Sequence, residues 1–240
     1  MDSKTRLFVN QPLVEGQSVS LGEKQAHYLY KVMRKEVGSN ILLFNGKSGE
    51  WVSRISDLGK NYGCLNCIEK TNEQSNPPNL WLLFSPLKKT RTDFVVEKAT
   101  EMGVAKIVPI STDFTSASRI KKERLQSHAI EAAEQCGATY VPTVTPLENL
   151  DHKLSNWPAD RYLLFCDEKK IGHPVDTQNL PFGKWAVLIG PEGGFSDRER
   201  LLIKTQPNAI PFSLGPRILR ADTAVVAALA ILQKNVGDWK

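Results

Sequence analysis

The chain has 240 residues, 41% hydrophobic and 24% charged, enough to bury a sizeable core as one large domain or two modest ones. Its longest apolar run, Ala224 to Leu232, is too short to span a membrane, and Met1 to Arg6 lacks an apolar signal region, so a cytoplasmic location is expected. The formal charge of +5 is modest and does not by itself mark a nucleic-acid binder.

The N-terminal third reads as short strands: Arg6–Val9, Ile41–Phe44, Trp51–Ile55 and Gly63–Ile68, with one helix from Gly22 to Arg34. Asn45-Gly46 and Leu58-Gly59-Lys60-Asn61 supply turns. Gly46-Lys47-Ser48 looks like the end of a phosphate loop, but Ile41 stands where that loop needs its first glycine, so a hairpin turn is expected. Cys64 and Cys67 are strand residues on opposite faces, with no second pair to complete a zinc site; Cys136 and Cys166 read as small buried groups. His27, His128, His152 and His173 are scattered, so no metal is expected. The polar stretch from Thr71, with its diproline at Pro77-Pro78, divides the chain into a domain at 1–72, a linker at 73–79 and a domain at 80–240.

Beyond the linker, strands alternate with helices. Leu80–Ser85, Lys106–Ile110, Arg161–Cys166, Trp185–Gly190 and Ala209–Phe212 are the strands; Asp93–Met102, Lys121–Cys136, Asp197–Thr205 and Thr223–Val236 are the helices. Ser196 and Glu199 form a capping box, and Gly103, Gly137 and Gly237 stand at C′ positions. Such alternation predicts an α/β fold with a parallel sheet covered by helices. Residues 88–124 hold nine Lys or Arg against five acids: a solvated surface by charge alone, or a phosphate-contacting face.

Two segments near the C-terminus carry the chemistry: Gly190-Pro191-Glu192-Gly193-Gly194 after an apolar strand, and Leu214-Gly215-Pro216-Arg217-Ile218-Leu219-Arg220-Ala221-Asp222-Thr223-Ala224 before an apolar helix. A glycine-rich turn beyond the carboxyl end of a strand is where an open α/β sheet places a ligand. With Lys88-Lys89-Thr90-Arg91-Thr92-Asp93, Glu97 to Val104 and Glu131 to Cys136 in order, the chain resembles the SPOUT class of RNA methyltransferases, and within it the RsmE-type enzymes, which methylate N3 of a uridine in small-subunit (16S) ribosomal RNA.

The resemblance implies a small N-terminal β-rich PUA-like barrel and a C-terminal SPOUT domain with a deep trefoil knot. It implies S-adenosyl-L-methionine as cofactor, held by Phe165, Ile189, Gly190, Glu192, Gly193, Gly194, Leu214, Gly215, Ile218, Leu219, Arg220, Thr223 and Ala224. Arg220, Arg91 and Glu97 are the catalytic candidates; Lys88, Arg91, Arg119, Lys121 and Lys122 are the RNA-binding ones. Arg220 has three possible targets: the donor's carboxylate, an RNA phosphate or the developing imidate. It could also simply pair with Asp222 or Glu192. Glu97 or Glu101 could accept a proton or fix Arg91. Asp222, where the family has Glu, is expected to cap the last helix. Gly137-Ala138-Thr139 departs from the family's arginine-bearing turn. The implied partners are 16S ribosomal RNA or the small ribosomal subunit and a second copy of the chain, with no membrane or metal. Leu229 and Leu232 of the terminal helix are expected to matter for dimer or fold. The rival reading is a non-catalytic RNA-binding or ribosome-assembly factor on the same fold; another RNA target is also open.

Overall fold

The computed structural model describes residues 5–117, 119–167 and 180–239; His173 lies outside them. The chain forms two compact units. The first comprises residues up to Asn76 together with Ala133–Val141, so it is not a single stretch of sequence.

The first unit is built on a five-stranded sheet, in the order β1 (Arg6–Phe8), β3 (Asn40–Phe44), β4 (Glu50–Leu58), β5 (Gly63–Asn72), β2 (Ser18–Leu21). β1 and β3 run parallel and the remaining pairs antiparallel. β2 is an unexpected strand. Its exposed–buried alternation is only four residues long, too short to stand out from a loop by pattern. Val19, Leu29, Ile41, Leu43 and Leu65 are fully buried in the core. The hairpin turn between β3 and β4 is confirmed: the Asn45 side chain accepts hydrogen bonds from the amides of Lys47 and Ser48, at 3.0 and 2.8 Å.

The single helix expected over 22–34 is instead α1 (Glu23–His27) followed by a π-turn, Tyr28–Val32. Only Ala26 and Leu29 along this stretch are buried, so packing does not sustain a longer amphipathic helix. Arg6 explains why Ala133–Val141 joins this unit. Its guanidinium donates to Glu50 at 2.6 Å and to the carbonyls of Ala133 and Ala138 at 2.7 and 2.8 Å. Cys136, expected buried, is exposed there.

The second unit holds a wholly parallel sheet, ordered β12 (Ala209–Phe212), β10 (Arg161–Cys166), β11 (Lys184–Ile189), β6 (Leu80–Phe84), β7 (Lys106–Ser111), β8 (Thr143–Val144), with β9 (Glu148–Asn149) also on β7. Its helices are α2 (Lys89–Glu101), α3 (Lys122–Cys136) as far as Ala132, α4 (Leu150–Ser155), α5 (Asp197–Lys204) and α6 (Ala221–Asn235). α4 was not expected; Asn149 caps it by accepting from the amides of Asp151 and His152. α2 begins four residues earlier than predicted. Thr92 pins that first turn, its hydroxyl accepting from the Leu87 amide and donating to the Leu87 carbonyl, both at 2.9 Å.

α6 packs on α2 and β11 through Ala221, Ala224, Val225, Ala228, Leu229 and Leu232, the i, i+3, i+4, i+7 set of an amphipathic helix. Leu229 and Leu232 are thus fully buried within their own unit, and a charge there would strike the fold. Val226, Ala227, Ala230 and Ile231 are the part-exposed apolar residues of this helix. No helix among the described residues is long and apolar enough to cross a membrane.

Candidate functional site: three loops at the carboxyl edge of the sheet

β11 ends at Ile189, and the next five residues turn sharply. Gly190 lies beneath Phe195, where an added Cβ would come within 2.7 Å of the ring. Gly194 has φ +72, a left-handed backbone that favours glycine, and its amide closes the turn onto the Pro191 carbonyl at 2.9 Å. α5 follows, started by the expected capping box between Ser196 and Glu199. Glu199 also accepts from the Asp113 amide at 2.8 Å, tying the loop after β7 to this turn.

The second loop runs from Ser213 to Arg220, between β12 and α6. The third is the end of β10, where the Asp167 amide donates to the Phe212 carbonyl at 3.3 Å. Asp167 is buried and paired with Arg200 at 3.1 Å.

These loops enclose a cavity of about 410 Å³, in the range of small-molecule sites. Of the expected cofactor residues, Ile189, Gly190, Glu192, Gly193, Gly194, Leu214, Gly215, Ile218, Leu219, Arg220 and Ala224 line it. Phe165 and Thr223 do not. Side chains alternate along a strand, so Phe165 points into the core against Phe195, their rings 5.1 Å apart, and its neighbour Cys166 faces the cavity. Thr223 is exposed in the first turn of α6. The lining residues that the sequence reading missed are Cys166, Asp167, Pro191, Phe212, Ser213, Arg217 and Ala221. Arg217 was visible beside the glycine of its loop; Cys166 needed only the opposite choice of strand face. Packing around the Cys166 sulfur pushes its thiol up to about 12, although the residue is partly exposed, so it stays neutral in the physiological range.

Two arginines meet this cavity differently. Arg220 is the N-cap residue of α6, exposed on the cavity wall, and among the described residues its side chain has no hydrogen bond or ion pair. Arg91 holds both acids that the sequence offered as partners of Arg220. Its Nε and Nη2 donate to the two carboxylate oxygens of Asp222, each at 2.8 Å, and its Nη1 contacts Glu192. This fork raises the guanidinium's pKa, Asp222 first among the causes, and Arg91 in turn holds Asp222 below the usual carboxylate range. Asp222 is therefore a clamp inside the first turn of α6 rather than its cap. Neither Glu97 nor Glu101 fixes Arg91. Six residues along a helix turn Glu97 to another face, where it lies 3.7 Å from His128; Glu101 pairs with Lys98 at 2.7 Å.

Among the RNA-binding candidates, Lys88 caps α2 without a side-chain bond to it. Arg119 and Lys121 line a second cavity, while Lys122 is exposed at the start of α3 and does not line that cavity. No metal-ligating cluster exists among the described residues.

The pattern of the RNA methyltransferase domain family matches residues 74–233, and that of the RNA methyltransferase PUA domain matches residues 21–65. The chain is similar to the ribosomal RNA small subunit methyltransferase E of Rickettsia conorii, at 29% identity over 94% of this chain and 93% of the relative. It is 30% identical to the Synechocystis protein of the same name, over 94% of this chain and 76% of the relative. In structure it resembles the Neisseria gonorrhoeae ribosomal RNA small subunit methyltransferase E bound to S-adenosyl methionine, with a TM-score of 0.87 at 29% identity over 98% of this chain and 99% of that one. A putative methyltransferase from Legionella pneumophila, in complex with the bound cofactor SAM, is similar at a TM-score of 0.85 and 30% identity, over 98% of both chains. With one family pattern spanning most of the second unit and full-length relatives of one kind, the chain belongs to the RNA methyltransferase family, among the ribosomal RNA small subunit methyltransferases E.

Proposed function

We propose that this protein transfers a methyl group from S-adenosyl-L-methionine to N3 of a uridine in small-subunit ribosomal RNA. The carrying observation is the cavity at the carboxyl edge, whose apolar side chains Ile189, Leu214, Ile218 and Leu219 stand among bare backbone at Gly190, Gly193 and Gly215. That combination suits an adenosine with a polar tail: apolar walls for the base, amides and carbonyls for its edges. When bound, the cofactor supplies an already activated methyl on a positive sulfur.

What remains for the chain is to align donor and acceptor and to favour loss of the N3 proton. The resulting negative charge lies on the uracil carbonyl oxygens. Arg220, uncommitted at the wall, is the cation for that charge. Arg91 keeps two N–H groups beyond its three bonds to Asp222 and Glu192, and serves to fix the glycine loop against α6. Among the described residues no carboxylate is bonded to Arg220, and in this reading water carries the proton away. Lys88, Arg119, Lys121 and Lys122 supply phosphate contacts.

A homodimer, a cytoplasmic location and the family's trefoil knot belong to the same reading. The part-exposed apolar residues of α6 support the first; extension of the unfolded chain from both ends tests the last, since a tightened knot leaves it short of its contour length.

The deciding experiment supplies the purified protein with labelled donor and small-subunit RNA or particles. N3 methylation removes a pairing position, so the product uridine should arrest reverse transcription at one site. RNA binding without methyl transfer would replace this reading with that of a non-catalytic assembly factor.

A further inference from the structure

A second cavity of about 420 Å³ lies in the same unit, between the first turn of α2 and the residues leading into α3. Four cationic side chains line it: Lys89, Arg119, Lys121 and Arg124. Among the described residues no carboxylate does. Arg124 is satisfied by Asp93 at 2.5 Å, but Lys89, Arg119 and Lys121 have no side-chain hydrogen bond or ion pair among the described residues. Scattered surface charge is normally interleaved with acids. Here three uncompensated cations converge on one concavity, which raises their mutual repulsion unless an anion enters. In that first turn the amides of Arg91 and Thr92 bond to the Lys88 carbonyl, at 2.9 and 3.0 Å, and Lys88 offers no side-chain acceptor to those of Lys89 and Thr90.

The position of this cavity decides what the anion is. Its two walls each touch the glycine loop of the cofactor site. On α2, Lys89 and Thr92 line the basic cavity, while Arg91 between them holds Glu192 of the glycine loop. In the segment after β7, Phe114 lies against Gly193 of that loop, and Ala117 begins the wall of the basic cavity. Thr115 braces the connection by hydrogen bonds of 2.8 Å to both Ser85 and Thr112. An anion held here is therefore fixed in register with the methyl-transfer site. We propose that this cavity seats one phosphodiester of the RNA strand close to the methylated uridine, setting which nucleotide reaches the cofactor; the proposal rests on the RNA-methylation reading above.

The test uses short RNAs containing the mapped target uridine, each with one neutral methylphosphonate at a different position. Wild-type protein should lose roughly 10- to 100-fold in affinity at a single position, the size of one charge-assisted contact. The double variant Arg119→Gln/Lys121→Gln should bind unmodified RNA more weakly, be indifferent to that one substitution, and lower the salt slope by about 1. Unchanged donor affinity by calorimetry checks that it is folded, and Lys89→Gln provides a second, milder variant. Equal sensitivity of wild type and variant at every position would overturn the proposal. So would millimolar inorganic phosphate shielding Lys121 from acylation when RNA does not, which would make the site one for a free anion. Failure to methylate any RNA would instead strike the methyltransferase reading, so the two failures are distinct.

Discussion

The two edges of the C-terminal sheet both carry arginine, and use it in opposite ways. At the amino edge, Arg161 is buried with its guanidinium 3.6 Å from the centre of the Trp81 ring. It donates to the Asn79 and Trp185 carbonyls at 3.0 and 2.8 Å and to the Asn79 side chain at 2.8 Å. Lys106 and Lys153 approach the same indole, at 4.5 and 5.5 Å. Burial lowers Arg161 to about 10, and lowers Lys106 as well, with Lys153 and Arg161 adding repulsion. At the carboxyl edge, Arg217 and Arg220 are exposed at a cavity and, among the described residues, uncommitted. An arginine whose two terminal nitrogens are bonded to carbonyl and amide oxygens, and whose plane lies on an aromatic face, is a structural bolt even with its buried Nε unpaired. One held at a cavity with its donors free is available for chemistry.

Removing Arg220 tests that contrast most severely. Arg220→Ala should lower single-turnover methylation on the order of 100- to 1,000-fold, the usual effect of deleting one well-aimed charge-stabilising donor. RNA affinity should barely change, and the variant should need a higher pH for the same rate. Normal turnover with weakened donor binding would move Arg220 to the donor's carboxylate and leave Arg91 as the better cation.

The opposite edge should answer in stability rather than rate. Arg161→Met takes a donor from two carbonyls and an amide oxygen, and should cost about 2 kcal/mol in chemical denaturation. Turnover of the folded variant should match wild type; a collapse in rate would erase the distinction between the edges.

A third variant asks whether the carboxyl edge is complete in one chain. Ile231 is part-exposed on α6, so Ile231→Glu should weaken self-association by at least about tenfold and leave the fold intact. Sedimentation showing a wild-type monomer with full activity would end the two-subunit reading.

Arg91 stands between these two fates, and its pair with Asp222 gives the smallest effect. Asp222 titrates below its ordinary value because of Arg91, so the pair's stabilisation is complete above the unfolded carboxyl's pKa of about 3.9 and fades as pH falls through the lower folded value. Asp222→Asn should cost about 1 kcal/mol at neutral pH. Thermal melts should show a constant gap from wild type above roughly pH 5 that closes below about pH 4. A gap that persists in acid would mean the carboxylate's charge is not what binds Arg91.

Much of this molecule is written in short-range pattern. The Asn45-Gly46 turn, the Ser196–Glu199 capping box and the glycine loop depend on neighbours within a few residues, and each stands where its sequence puts it. The elements missed, β2, β8, β9 and α4, are two to six residues long and are held by partners far away in the chain. The exchange of Phe165 for Cys166 has a related cause. A strand buried on both faces is a continuous apolar run, and such a run does not say which residue looks toward a cavity.

By itself, then, the sequence determined where the chain turns, where strands give way to helices, and that two glycine-bearing loops adjoin apolar elements. These follow from backbone preferences and local capping. Only the tertiary structure decided which arginine is spent and which is free. Arg91 and Asp222 lie 131 residues apart, and Arg161 reaches Asn79 across 82. Ion pairs carry no periodicity, and any of several acids could have claimed either arginine. Packing α2 against α6 brought Asp222 to Arg91, and that choice left Arg220 facing the cavity.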